Sequence, residues 1–441
     1  MRSLFLKEQR CYSKEELSGL LGDSGILPKL LSLGIFSPKD GGFACSFVGV
    51  AIVNGRVLKC YPKYLPDNAE PLEELREVLK VLEKCGEEGQ AMEAYGEEGS
   101  GRLSSILFLL SDYFENGPYT ESKEIREVNG TGEIDWDRTV NDAFTLLEDG
   151  VPYYPALVTK RRTEDSGSFF RRLHECIVTE ASGELEEAGL SALFDLTPLD
   201  VSDEELSGFG EREQVLSLLD RQLGTEFNTR KQLVLKAMAD YLQEESGLSS
   251  ESSLTLYGTT SFYHVWELCA SEVLGNRLSQ ELSLLPLPEP LKACYDPGSK
   301  LSDLIEKPLW DITGERAGDT LIPDMVTIKG NAFFIFDAKY YSPELEAGKP
   351  PKGQPGIEAV TKQYLYQLAY KDFIAAHGFE EVRNCFLIPT SGPEIESKGS
   401  VRLSFLERLG LEPILVRLVP ASLVFSCYLK GTRLDPCEVT A

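Results

Sequence analysis

The chain has 441 residues, of which 71 are acidic and 44 basic, for a formal net charge of −27. That balance argues against a protein that coats nucleic acid by itself, since such binding draws on clustered Lys and Arg. At 42% hydrophobic and 26% charged residues, the composition is that of a globular protein with room for two or three cores. No apolar run is long enough to span a bilayer, and the apolar stretch after Met1 is too short for a signal peptide. The expectation is a cytoplasmic protein that does not enter membranes. Ten scattered cysteines without a Cys-x-x-Cys pair, and only three histidines, read as reduced thiols and not as a disulfide framework or a zinc site.

Residues 1–66 read as a small α+β module. Ser13-Lys14-Glu15-Glu16 has the form of a capping box opening a helix, and 26–33 forms a second short helix stopped by Gly34. Residues 43–61 read as a β-hairpin turned at Asn54-Gly55. Two helices and a hairpin are compatible with a winged helix, so this module binds either DNA, through Lys29, Lys59 and Lys63, or a protein.

Residues 67–248 read as a mainly helical middle region and a partner-docking surface. Leu72, Leu75, Val78, Leu79 and Leu82 stripe a charged helix, which Gly86-Glu87-Glu88-Gly89 interrupts. An acidic run at 93–98 leads to an exposed turn at Gly99-Ser100-Gly101, and 102–113 is another apolar helix. Gly130-Thr131-Gly132 reads as a joint, Trp136 as a packing anchor, and Lys160-Arg161-Arg162, the most basic run in the chain, as a candidate phosphate contact or a solvated loop. Helical spacing returns over 169–180 and 211–242, with an acidic loop at 195–205 between them. The Ser-rich stretch 247–253 marks the boundary to a third domain, 249–441. Residues 1–250 hold 46 acids and 26 bases, and 251–441 hold 25 and 18, so the last domain repels a polyanion less than the rest.

The chemistry gathers in that last domain. Ile322-Pro323-Asp324 opens a strand, with Pro323 at its start, where a missing backbone donor is tolerated. Gly330-Asn331 is a turn, and Phe333-Phe334-Ile335-Phe336 begins a second strand that ends in Asp337-Ala338-Lys339. Alternation puts Asp337 and Lys339 on one face, and Asp324 lies across the hairpin. Two carboxylates and an ammonium converging in this way suit phosphodiester hydrolysis, with the carboxylates as oxygen ligands to Mg²⁺ and the lysine supporting charge on the phosphate. Glu267 sits on a helix running from Ser261 to about Leu274, whose apolar face is Phe262, Val265, Trp266 and Cys269. Gln363, Tyr366, Gln367 and Tyr370 share one face of a later helix, a polar-aromatic stripe that suits a catalytic face. Residues 285–290 form a Pro-rich connector, and 384–389, 414–419 and 423–428 read as strands.

Pro323-Asp324 followed by Asp337-Ala338-Lys339 resembles the PD-(D/E)xK nuclease signature. The order of Glu267 on a helix, the two motif halves and a Gln/Tyr helix is similar to the restriction-endonuclease-like core, a mixed sheet flanked by helices. More narrowly, Phe47-Val48-Gly49-Val50, Tyr61-Pro62-Lys63-Tyr64, the stretch from Gly132 to Asn141, Leu173-His174 and Tyr257-Gly258-Thr259-Thr260 resemble segments of the LlaJI restriction endonucleases, relatives of McrC. The resemblance implies a Mg²⁺-dependent deoxyribonuclease of type II or type IV restriction, with Mn²⁺ as a substitute and no organic cofactor. It implies Asp324, Asp337 and Glu267 as metal ligands, Lys339 as the charge-stabilising base, and Gln363 or Gln367 in support. The Gln-x-x-Tyr spacing here departs from the Gln-x-x-x-Tyr of many relatives and leaves the choice between the two glutamines open. It also implies DNA as substrate and a McrB-like AAA+ GTPase as partner, with oligomers assembled through that partner. The chain has no Gly-x-x-x-x-Gly-Lys-Ser/Thr loop of its own. An activator of such an NTPase without used nuclease chemistry, and a stand-alone repair nuclease, are the alternative readings.

Overall fold

The structure, a computed structural model, describes residues 2–21, 26–39, 41–53, 56–67, 71–87, 102–243, 247–248, 254–292 and 294–441. It is a mixed α/β chain with several sheets. Its contacts form two compact units, Ser100–Thr255 and a second made of Arg2–Gly99 together with Leu256–Ala441.

The second unit is built on a five-stranded sheet in the order Met325–Lys329, Ala332–Ala338, Glu381–Thr390, Ile414–Pro420, Glu396–Val401. The first two strands are an antiparallel hairpin with Met325 opposite Phe336 and Lys329 opposite Ala332. Gly330 makes its turn at φ 60°, a conformation that costs glycine nothing. Ala332–Ala338, Glu381–Thr390 and Ile414–Pro420 then run parallel. Parallel strands are covered on both faces, which is why they read as continuous apolar runs. One face, carrying Phe333, Ile335, Phe386 and Ile388, packs on the long helix Ile357–Ala376. Leu387 and Val419 face the other way, towards the helices Phe262–Val273 and Ala421–Lys430.

A second sheet of the same unit runs Arg2–Lys7, Arg56–Tyr61, Val48–Val53, Leu254–Thr259. Its first pair is parallel and its second antiparallel. At Gly49 a Cβ would stand 2.2 Å from the Tyr257 carbonyl, and at Gly258 the same distance from the Val48 carbonyl; only glycine permits that approach. Leu254–Thr259 leads directly into the Phe262–Val273 helix, so residues expected as a separate N-terminal module and residues of the nuclease domain share one sheet. The capping box is present: Ser13 N–H donates to Glu16 at 2.7 Å and Glu16 N–H to Ser13 at 3.1 Å. The helix Leu72–Glu87 packs on Ala421–Lys430, where Lys84 Nζ donates to the Tyr428 carbonyl at 2.6 Å.

The first unit holds the helices Arg102–Asn116, Phe169–Glu187, Arg212–Leu223 and Thr229–Gln243. It is not wholly helical. Ser122–Val128, Val158–Glu164 and Glu133–Ile134 form a three-stranded sheet, and Leu146–Glu148 pairs with Val151–Tyr153. The three-stranded sheet is polar and largely exposed, and the Leu146–Tyr153 hairpin is apolar but exposed, so neither carries the alternation by which half-buried strands are recognised.

Three other expectations are corrected. Lys160-Arg161-Arg162 is a strand segment, with Arg161 paired to Glu127 at 3.5 Å on the neighbouring strand. Trp136 is exposed and starts the short helix Trp136–Asp142, capped by Asp135. Residues 423–428 lie in the Ala421–Lys430 helix, which buries Val424, Phe425 and Tyr428 at helical spacing. The Glu396–Val401 edge strand is too polar to stand out in the sequence. The Asn54-Gly55 turn, the acidic run at 93–98 and the Ser-rich stretch at 249–253 lie outside the described residues. The ten cysteines are free thiols, and among the described residues no helix is long and apolar enough to cross a membrane.

Candidate active site

Asp324 immediately precedes the first hairpin strand, and Asp337 is the sixth residue of the second. The hairpin brings their side chains into hydrogen-bonding contact. Asp324 is anchored twice. Its Oδ2 accepts from the Ala338 N–H at 2.7 Å, and its carbonyl accepts from Asn276 Nδ2 at 3.3 Å. Asn276 Oδ1 also accepts from the Val326 N–H at 3.1 Å, and Thr327 Oγ1 donates to the Leu274 carbonyl at 2.9 Å. These bonds stitch the end of the Phe262–Val273 helix, and so Glu267, to the hairpin. The sequence reading missed Asn276.

Asp337 is 4% exposed, and Lys339 Nζ lies 2.7 Å from its Oδ2. The Lys339 N–H is tied to the Leu387 carbonyl at 2.8 Å, which extends the parallel pairing one step past the strand. Burial opposes the Lys339 ammonium, but Asp337, and Asp324 behind it, hold its pKa above the usual lysine value. Burial, and then the Asp337 and Glu267 carboxylates, push Asp324 well above the carboxylate range; the Ala338 N–H works the other way.

Glu267 stands at the same cleft, and burial raises its pKa, with Asp337 adding to the rise and His264 and Lys339 opposing it. Its Oε2 is 3.8 Å from His264 Nδ1 one helical turn away. Tyr366 also feels all three acids, and burial with their repulsion lifts its hydroxyl to about 12. Gln363 and Gln367 do not line the cleft. They are 0% and 3% exposed and lie in the core. Gln363 Nε2 donates to the Ile335 carbonyl at 3.2 Å, and Gln367 Oε1 accepts from Asn384 Nδ2 at 3.3 Å. The stripe of Gln363, Tyr366, Gln367 and Tyr370 is buried, because the helix face that carries it lies on the sheet. Periodicity shows that residues share a face and not what covers it.

The cleft, about 940 Å³, is lined by Asp324, Lys339 and Glu267 and also by Lys7, Glu8, Arg10 and Lys63 from the N-terminal segment. Two oxygen-donor carboxylates forced together by the fold, one with its pKa raised by the other, fit a hard divalent cation. Mg²⁺ binds through one or two carboxylates and keeps several waters. Among the described residues no group of three or more His, Cys, Asp or Glu side chains is arranged as a metal cage.

A family model for the LlaJI restriction endonucleases matches residues 47–425. The chain belongs to the LlaJI restriction endonuclease family. A relative in Bacillus subtilis (strain 168), the type II restriction enzyme BsuMI component YdjA, is 27% identical over 451 residues, spanning 97% of this chain and 90% of that protein. Among solved structures, McrC bound to McrB AAA+ hexamers from Thermococcus gammatolerans is similar over 97% of this chain and 99% of that one, at 12% identity and a TM-score of 0.39. The McrBC complex of the same organism matches 55% of this chain and 79% of that one, at 12% identity and 0.24. The cleft of this LlaJI-family chain rests on its own geometry.

Proposed function

We infer that this chain is the DNA-cleaving subunit of a restriction system and hydrolyses phosphodiesters at the Asp324–Asp337–Lys339 cleft, in a sheet of the PD-(D/E)xK type. The observation that carries the reading is the meeting of the buried Asp337, the half-buried Asp324 and a lysine at one cleft, in a chain of a restriction endonuclease family. Asp324 and Asp337 are the residues that would hold Mg²⁺, or Mn²⁺ in its place, with Glu267 within reach from its helix. Such a cation, when bound, supplies charge neutralisation at the phosphate and lowers the pKa of its water. Lys339, held beside Asp337, places an ammonium where negative charge grows on the phosphate oxygens. Gln363 supports the site by fixing the strand that bears Asp337, and Gln367 by fixing Asn384 on the strand beside it.

A partner fits the rest of the chain. In the first unit Trp136, Phe144, Leu146, Leu147, Val151 and Tyr153 are all exposed within one stretch of some 18 residues. Large apolar side chains gathered at a surface mark interaction sites. The B. subtilis relative is described as a component of its enzyme. An AAA+ NTPase of the McrB kind, docked through this unit in the cytoplasm, would supply the grip on DNA that a net charge of −27 denies this chain, and would set its oligomeric state. The test is cleavage of duplex DNA by the co-purified assembly with Mg²⁺ and GTP or ATP, set against the chain alone. Metal-dependent cutting that Asp337→Asn removes is the expected result. No cutting by the intact assembly with any divalent ion would overturn the reading.

A further inference from the structure

The N-terminal segment forms one wall of the catalytic cleft, and its cations are not equivalent. Lys7 is spent on Asp67, with Nζ and Oδ1 2.6 Å apart. Lys63 is not paired in this way. Its ammonium sits over the ring of Tyr340, 4.2 Å from the centroid, and among the described residues it forms no ion pair. Glu8 is close, but its Oε2 already accepts from the Tyr340 hydroxyl and, at 3.1 Å, from the Lys63 N–H. Arg10 lies over Tyr12, 5.1 Å from the ring centroid, and lines the same cleft.

The placement of Lys63 is built. Tyr340 is packed edge-on against Tyr64 and tilted on Phe262, and it directly follows Lys339. Lys63 therefore reaches the cleft one residue from the catalytic lysine, on a ring that cannot turn away. Burial lowers its pKa, Glu8 works the other way, and Lys39 adds repulsion. An ammonium that is partly buried, repelled by a second lysine and left without an ion-pair partner, in a chain with 27 more acids than bases, is a site that an anion would complete.

We propose that Lys63, with Arg10 on the same cleft, binds a backbone phosphate of the substrate strand next to the one cleaved at Lys339. This rests on the nuclease reading above and adds that the substrate is held by residues from both ends of the chain. A phosphate on Lys63 and another at Asp324 and Asp337 fix the strand's direction through the cleft. The contact is to the backbone and carries no base preference. A phosphate group could also come from a free nucleotide, and the two sources separate experimentally.

The experiment uses the full chain, in EDTA so that nothing is cut, and a short fluorescent duplex titrated by anisotropy over a range of salt. Lys63→Met keeps the packing of the stem and removes the charge. The slope of log affinity against log salt should fall by about one for Lys63→Met and by about two when Arg10→Met is added, as each lost phosphate contact predicts. Lys63→Arg should restore the wild-type slope, which a role confined to packing on Tyr340 would not require. With Mg²⁺ and the partner present, the half-saturating DNA concentration of Lys63→Met should rise in parallel. A wild-type salt slope in a folded Lys63→Met protein would overturn the proposal. So would millimolar GTP displacing the duplex from wild type but not from Lys63→Met, since the anion held there would then be a nucleotide. If wild type neither binds nor cuts DNA even with its partner, it is the nuclease reading that fails; if it does both and the slope is unmoved, only this inference fails.

Discussion

The Tyr340 hydroxyl donates to the Glu8 carboxylate across 332 positions of sequence. This bond ties the residue after Lys339 to the end of the first strand. Glu8 is buried, and burial holds its pKa above the ordinary value near 4.5, with Tyr340 and Lys63 pulling part of the way back. For a carboxyl whose folded pKa exceeds its unfolded one, the stabilisation is complete below the unfolded pKa and is lost as pH rises through the folded value. Glu8→Gln should therefore flatten the fall of stability above pH 4.5, read by urea unfolding at a series of pH values. Equal slopes for the two proteins would show that Glu8 does not titrate in this window. Tyr340→Phe leaves the buried acid one donor short and should cost about 1–3 kcal/mol.

Asp337→Asn should cut the cleavage rate by at least about 10³-fold, beyond the ~10²–10³ that one electrostatic donor supplies. Folding should survive, because the change relieves the repulsion that raises Asp324. Circular dichroism and a single-turnover assay with the partner present decide it. A folded variant that cuts normally would remove Asp337 from the site.

Lys339→Met should keep Mg²⁺ binding in a calorimetric titration and lose about 10²–10³-fold in the chemical step, since the lysine stabilises charge and is no ligand. Loss of Mg²⁺ binding would mean that the 2.7 Å pair with Asp337 is needed to shape the carboxylates.

Gln363→Met and Gln367→Met should act through stability. Each removes a buried hydrogen bond, to Ile335 or to Asn384, at about 0.5–1.5 kcal/mol, with up to about 1–3 more for the partner left unpaired. Cleavage at a temperature well below the melting point should change little. A large loss there, without loss of stability, would return one glutamine to a direct catalytic role.

Phe144→Asp with Leu147→Asp should abolish association with the NTPase partner while leaving the chain folded, because these side chains are 70% and 73% exposed. Co-elution on size-exclusion chromatography is the measurement. An unaffected complex would move the docking surface elsewhere on the chain.

The hairpin that carries Asp324 and Asp337 was legible in the sequence because everything that makes it is local. Gly330-Asn331 turns the chain, the apolar run from Phe333 to Phe336 forms the adjoining strand, and alternation then puts Asp337 and Lys339 on one side. The Ser13–Glu16 capping box and the Glu267 helix were legible for the same reason, that their partners are within a few residues. The tertiary structure decided the rest. Burial of Gln363 and Gln367 depends on which surface lies under their helix, and periodicity carries no record of that. The apolar run at 423–428 suits a buried strand or a buried helix equally until its neighbours are known. Ser122–Val128 and Val158–Glu164 are held by backbone pairing that their mostly polar side chains do not advertise. The wall that Glu8, Arg10 and Lys63 add to the cleft exists because Val48–Val53 pairs with Leu254–Thr259, two segments some two hundred residues apart. Sequence order shows which side chains a helix or hairpin brings together; only the folded chain shows which distant strands become neighbours, and the lysine opposite the nuclease motif is there for that reason.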